Sequence, residues 1–198
     1  MIKELQRFTA EMEGLRLMPY KCPAGKLTIG YGHNLEDNGI SQEVAEKLLA
    51  DDLNECDRIL KLKFSKLANK DSYIKAICRD MLFNLGYQRF STFQGFIKAL
   101  EKDDRNSALA ELVDSLWFTQ VGRRSKLIWL AMARGSHPIA VYDDFVATAK
   151  HFGLSLNYLI DEDFGNSYIL WYETKASPFY KERPKLKVAY DKAKRAVR

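Results

Sequence analysis

The sequence predicts a mostly helical α+β fold, with a small β-hairpin after the first helix and a helical extension at the C-terminal end. Three observations predict it. Apolar residues recur at three- and four-residue intervals along most of the 198 positions. The interval 15–35 breaks that period, with Pro19, Ala24-Gly25 and Gly30-Tyr31-Gly32 set among β-formers. Apolar residues make up 46% of the chain, enough for a buried core at this length. Intrinsic disorder and a membrane span are excluded by the same composition, since no run approaches the roughly 18 uninterrupted apolar residues a span needs. Lys3, Glu4, Arg7 and Glu11 break up the apolar residues of positions 1–12, so no signal-peptide core is expected and the chain is expected to be made soluble in the cytoplasm.

Ile2, Leu5, Phe8 and Met12 mark a first helix that ends at Glu11 to Glu13 with Gly14 as its stop, which puts Glu13 at a helix exit. After the Ala24-Gly25 turn, Leu27, Thr28, Ile29 and Tyr31 form a strand, making this stretch a hairpin or β-ribbon. Ser41 is a good N-cap for a long amphipathic helix whose stripe is Val44, Ala45, Leu48, Leu49, Cys56, Ile59 and Leu60, interrupted only by Asp52. A second long helix begins near Asp71, carries Ile74, Ile77, Cys78, Met81, Leu82 and Leu85, and stops at Gly86; it is expected at the centre of the core. Shorter helices follow near 91–102, 104–115 and 123–134, the last ending at Gly135. Ser136-His137-Pro138 then caps a helix with Ile139, Tyr142, Phe145, Val146, Ala149 and Phe152, stopped by Gly153. Residues 154–180 are aromatic-rich and show no decisive period.

Cys22, Cys56 and Cys78 are an odd number, with no CxxC pair and no His at ligand spacing, so neither a disulfide framework nor a metal site is expected, and no cofactor. Cys56 and Cys78 fall on apolar helix faces, where a thiol behaves as a small hydrophobe. The net charge of +5 is uneven: residues 181–198 hold eight basic and two acidic side chains, which leaves −1 for the rest. Such a tail suits an anionic polymer, whether nucleic acid, membrane surface or bacterial envelope, and it equally suits a solvated helix end.

The chemistry gathers between Glu13 and Leu35, in EGLRLMPYKCPAGKLTIGYGHNL. A carboxyl stands at a helix end, a thiol and a hydroxyl follow in a turn and strand, and Gly30 and Gly32 let a ligand approach the backbone. Taken singly, Glu13 reads as surface charge, Cys22 as incidental and Thr28 as β propensity. Together, Glu13, eight residues, Cys22, five residues, Thr28, continuing into Ile29-Gly30-Tyr31-Gly32-His33, resemble the catalytic signature of the phage-type lysozymes, glycoside hydrolase family 24, in which the middle position is Asp or Cys. The likeness runs on in order through Met81 to Gly86, Phe93, Trp117-Phe118-Thr119-Gln120 and Arg123-Arg124 to Gly135, so it covers about residues 1–135.

The resemblance implies a two-lobed lysozyme-like fold. Residues 1–135 form the catalytic domain, with a small β-containing lobe at about 13–60 and a helical lobe at about 61–135 that includes the first helix. Residues 136–198 form an extension of unassigned role, ending in the basic tail 181–198. The implied activity is that of an endolysin, cleaving the β-1,4 bond between N-acetylmuramic acid and N-acetylglucosamine of peptidoglycan in a cleft between the lobes. Glu13 is the expected general acid, because a helix-end carboxyl facing an apolar cleft keeps its proton. Cys22 is expected to position water jointly with Thr28. A thiol with an ordinary pKa of about 8.5 is mostly neutral at pH 7, and a thiolate lowered by Lys21 or Lys26, or a nucleophilic role, stays open.

Asn34 and Phe83 match sugar-contacting positions, Gly30 and Tyr31 line the cleft, and Arg124 stands where an ion pair would hold the catalytic Glu. His33 is expected to be structural, Phe96 and Glu111 depart from the polar groups expected at their positions, and Trp117 and Phe118 are expected in the core. The expected partner is peptidoglycan, with anionic envelope polymers a further candidate for the tail; no nucleic acid is expected, and the protein is expected to be a monomer. Made in the host bacterial cytoplasm, it would reach the wall through a hole opened by a separate membrane protein. Two other readings remain open: a lytic transglycosylase leaving 1,6-anhydro ends, and a non-catalytic envelope- or nucleic-acid-binding module worked by the tail.

Overall fold

The computed structural model describes residues 2–196; Met1 and the last two residues of the basic tail, Val197 and Arg198, lie outside the described residues. The fold is 75% helical with one three-stranded antiparallel sheet, the mostly helical α+β class that the sequence predicts. Two compact units divide between Asp52 and Leu53.

The first unit contains α1 (Ile2–Glu13), β1 (Arg16–Lys21), β2 (Leu27–Gly30), β3 (His33–Asn34), α2 (Leu35–Asn38) and the first half of α3 (Gln42–Lys63). Gly14, at φ +70, ends α1, and its N–H donates to the Ala10 carbonyl at 3.1 Å. The strands lie in the order β1-β2-β3, with Tyr20 opposite Thr28 and Thr28 opposite Asn34. Between β1 and β2 the chain reverses over Cys22 to Gly25, where the Gly25 N–H donates to the Cys22 carbonyl at 2.8 Å and the Cys22 N–H to the Lys26 carbonyl at 3.0 Å. The third strand exceeds the expected hairpin, and at two residues it is too short to leave a periodic signal. By its contacts α1 groups with the sheet rather than with the helices that follow, and its defining residues Ile2, Leu5, Phe8 and Met12 are exposed. Ser41 caps α3 as expected, accepting from the Val44 N–H at 3.3 Å. Along α3 the apolar stripe is buried only from Cys56 onward, Val44, Leu48 and Leu49 being exposed.

The second unit holds the rest of α3 with α4 (Ser65–Ala68), α5 (Ser72–Phe90), α6 (Gln94–Glu101), α7 (Arg105–Asp114), α8 (Leu116–Gln120), α9 (Arg123–Arg134), α10 (Pro138–Phe152), α11 (Leu156–Thr174), α12 (Pro178–Lys181) and α13 (Pro184–Ala196). As expected, α5 is central, burying Ile74, Ile77, Cys78, Met81 and Leu82. Gly86 kinks α5 at φ 71 and ψ 165 instead of ending it, and the helix resumes to bring Phe90 edge-on to Phe64 at 5.1 Å. Gly135 and Gly153 stop α9 and α10 in left-handed conformations, and His137 Nδ1 accepts from the Ile139 N–H ahead of α10.

The stretch without a clear period is α11, which buries Ile160, Phe164, Tyr168, Trp171 and Tyr172. These rings surround Trp129 of α9, with centroids at 5.3 Å for Phe164, 5.7 Å for Tyr168 and 5.9 Å for Trp171. Tyr168 donates to the Leu186 carbonyl at 2.9 Å, and Trp171 Nε1 donates to Asn106 Oδ1 at 3.1 Å. Residues after Gly135 therefore complete the core of the helical unit, and the basic tail is mostly the folded helix α13, which buries Leu186 and Ala193. Several of its cations meet protein acids: Lys194 lies 2.8 Å from Glu173, and Arg183 pairs with Glu111 and Asp114.

Truncation after Gly135 removes the rings around Trp129, and a change at one fully buried Trp already costs about 3–5 kcal/mol. We expect the truncated chain to lose its cooperative thermal transition and shift its tryptophan emission to the red. A truncated chain that melts like the full one would contradict this packing.

Candidate active site

Glu13 occupies the last position of α1, and Gly14 turns the chain straight into the sheet. Its carboxyl lies against the turn between β2 and β3: a Cβ placed on Gly32 would fall 3.5 Å from Glu13 Oε2 and 3.9 Å from Cδ. Gly32 also sits at φ +84, a conformation other residues adopt only with strain. The first and last parts of the motif, nineteen positions apart in the chain, thus meet through one glycine. Glu13 is exposed.

The other two motif residues meet at the opposite end of β2. Thr28 is buried at 3% exposure, and Cys22 is half-buried where the β1–β2 turn begins. The turn curls around the sulfur, so that the Lys26 N–H first, then the Ala24 N–H and the Thr28 hydroxyl, hydrogen-bond to it and hold the thiol below its ordinary value against partial desolvation. The sequence suggests the lysine ammonium groups for this effect. Lys26 instead directs its ammonium to Asp37 at 2.9 Å and Glu36 at 3.4 Å, and its backbone acts on Cys22. The Thr28 hydroxyl also donates to the Lys26 carbonyl at 3.0 Å; while that bond is made, the oxygen is an acceptor for a thiol or a water.

The remaining candidates of the first unit brace the sheet or stand open beside it. His33 Nε2 is 2.6 Å from the Gly39 carbonyl, which requires the tautomer with hydrogen on Nε2. Asn34 caps α2, accepting from the Asp37 N–H at 3.1 Å and donating to Asp37 Oδ2 at 2.8 Å, so its amide is engaged locally. Tyr31 is half exposed, and Gly30 is half-buried at φ +68. Glu36, unremarked in the sequence, accepts from the Leu27 N–H at 3.1 Å and ties α2 to β2.

Two candidates lie in the second unit. Phe83 is 40% exposed on α5. Arg124 grips Asp80 of α5 with both arms, Nε at 2.8 Å and Nη2 at 2.5 Å, and this pairing holds its proton more tightly. Asp80 was missed, although a carboxylate between Ile77-Cys78 and Met81-Leu82 on a core helix is a readable signal. Phe96, Trp117 and Phe118 are buried, Trp117 Nε1 donating to Asn84 Oδ1 at 2.6 Å. Among the described residues no group of three or more His, Cys, Asp or Glu is placed to hold a metal, and no helix is long and apolar enough to cross a membrane.

The family model described as "Phage lysozyme" matches residues 10–129. A protein named "Endolysin" from Acyrthosiphon pisum secondary endosymbiont phage 1 is 35% identical over 126 residues, which cover 62% of this chain and 84% of that relative.

The Cys22 environment sets a titration that alkylation reads. Because its backbone donors favour the thiolate, we expect Cys22 to be alkylated with a midpoint below that of a free thiol. Cys78 is buried, with its thiol pushed up to about 12, and should react only on unfolding. A Cys22 midpoint at or above that of a free thiol would contradict the geometry of the turn.

Proposed function

The chain belongs to the phage lysozyme family and is a glycoside hydrolase, and from that premise we propose that it is an endolysin that hydrolyses the β-1,4 bond between N-acetylmuramic acid and N-acetylglucosamine of peptidoglycan. One observation carries the assignment of roles: the small sheet holds Glu13 against Gly32 at one end and Cys22 with Thr28 at the other. Breaking a glycosidic bond requires a proton on the leaving oxygen and a water delivered to the anomeric carbon. Glu13 is the general acid. A sugar ring laid over the exposed carboxyl takes water away from it, and a carboxyl without water holds the proton that the leaving oxygen needs.

Cys22 and Thr28 position the water. The Thr28 oxygen accepts one of its hydrogens, and the sulfur, favoured as thiolate, accepts the other or takes it as base. Attack then comes from the face opposite the departing oxygen, which gives inversion. Gly30 and Tyr31 offer an open ledge beside this water, and Phe83 an exposed ring for a sugar face. Arg124 acts through the pair with Asp80, fixing α9 to α5 in the lobe that carries Phe83.

The protein acts as a monomer, is made in the host cytoplasm, and reaches the wall through a hole opened by another protein. Those α13 cations that pair with no acid among the described residues, Lys192 among them, add attraction to anionic envelope polymers.

Glu13→Gln should lower the rate of peptidoglycan hydrolysis by about 100- to 10,000-fold with an unchanged circular dichroism spectrum. Cys22→Asp, the other residue of the family signature, should retain activity, whereas Cys22→Ala combined with Thr28→Val should lose most of it. Mass spectrometry of digested peptidoglycan should find reducing ends. Anhydro ends would replace hydrolysis by transglycosylation, and wild-type rates in Glu13→Gln would remove the acid.

A further inference from the structure

The turn that holds Cys22 is secured from outside by α2. In the register of β2 with β3, Thr28 faces Asn34 and Ile29 faces His33, so Leu27 comes opposite Leu35, where the chain has already entered α2. The Leu27 N–H thus lies one residue past the end of β3. Glu36 supplies the acceptor that a longer third strand would give, its Oε2 taking that hydrogen at 3.1 Å. Glu36 is placed for this by the way α2 is tied down. Asn34 accepts from the Asp37 N–H at 3.1 Å, the Gly39 N–H donates to the Leu35 carbonyl at 3.1 Å, and His33 Nε2 lies 2.6 Å from the Gly39 carbonyl. The second Glu36 oxygen, Oε1, lies 3.4 Å from Lys26 Nζ, which Asp37 Oδ1 holds at 2.9 Å.

What the Glu36 bond fixes is a peptide plane. The Leu27 N–H and the Lys26 C=O belong to one rigid trans amide and point to opposite sides of it. On the side away from Glu36, the Lys26 carbonyl accepts from the Cys22 N–H at 3.0 Å and from the Thr28 hydroxyl at 3.0 Å. Cys22 and Thr28 therefore share one carbonyl, and Glu36 sets the tilt of the plane that carries it. The N–H of Lys26 itself is directed at the Cys22 sulfur. Leu27 is partly exposed, so water can replace Glu36 without unfolding the sheet, but a mobile water fixes no direction.

We infer that Glu36 is a positioning residue of the site: by accepting the Leu27 N–H it fixes the Lys26–Leu27 peptide, and through that peptide it aims the Thr28 hydroxyl and the turn around Cys22. The inference rests on the water-positioning roles proposed for Cys22 and Thr28, and Glu36 acts on them through the backbone alone.

The test pairs two variants of the full chain: Glu36→Met, which keeps the length of the side chain without an acceptor, and Glu36→Gln, whose amide oxygen still takes the Leu27 hydrogen. Glu36→Met should lower kcat on peptidoglycan about tenfold at nearly constant KM, and move the alkylation midpoint of Cys22 upward. Glu36→Gln should bring both back close to wild type. Adding Glu36→Met to Lys26→Met removes any effect of a freed ammonium, and the midpoint should still rise. If Glu36→Met fails to fold, NMR of the wild-type protein reads the same bond, because the Leu27 amide shift should follow protonation of the Glu36 carboxyl on acidification. An amide shift indifferent to that protonation overturns the proposal. So does folded Glu36→Met with wild-type kcat and midpoint, or Glu36→Gln that behaves like Glu36→Met. Alkylation is read without substrate, so a midpoint that rises while kcat holds leaves Glu36 securing the turn and overturns the roles of Cys22 and Thr28 beneath it.

Discussion

The site depends on a missing side chain. Gly32 turns the chain between β2 and β3 at a positive φ, and the space above its Cα is where the Glu13 carboxyl rests. A β-carbon would strain the turn at this positive φ and would stand in ordinary van der Waals contact with the acid, so the demand for glycine here comes from the backbone. Gly14 does matching work at the other partner, ending α1 within one residue of Glu13 so that the carboxyl emerges beside the sheet. The chemistry assigned to Glu13 thus rests on two glycines that carry no chemistry of their own.

Cys22 shows how backbone can replace a charged neighbour. The β1–β2 turn directs the N–H groups of Lys26 and Ala24 at the sulfur, while the ammonium of Lys26 is held by the acids of α2. Short turns bring N–H groups together in this way whatever their side chains, and an anion is the natural occupant of such a concavity. In the role proposed for Cys22, a thiolate-favouring turn gives the sulfur the acceptor character that an aspartate would bring to the same position.

Much of this was legible in the sequence, and the failures have physical causes. Helix stops at Gly14, Gly135 and Gly153 were readable because a left-handed C-cap needs glycine. Gly86 carried the same signal and kinks α5 instead, since the burial of Phe90 beyond it favours continuing the helix. Residues 154–180 hid α11 because its outward positions, Tyr158 and Leu170, are as apolar as its inward ones. The basic tail read as a partner for an anionic polymer or as a solvated helix end because charge dominates its composition, while the residues that fold it, Leu186 and Ala193, are few. At the site, Cys22 and Thr28 lie together at one end of β2, yet no pattern along the chain announces that Lys26 acts through its backbone or that Arg124 has Asp80 as partner.

The proton donated by Glu13 is the central claim, and leaving-group chemistry tests it most directly. Wild-type protein and Glu13→Gln should be compared on the natural glycan and on an aryl glycoside whose phenolate departs without protonation. The account predicts a large rate deficit for Glu13→Gln on the glycan and a deficit close to none on the aryl glycoside. An equal deficit on both substrates would mean that Glu13 holds the substrate or the fold, and contradict its role as the acid.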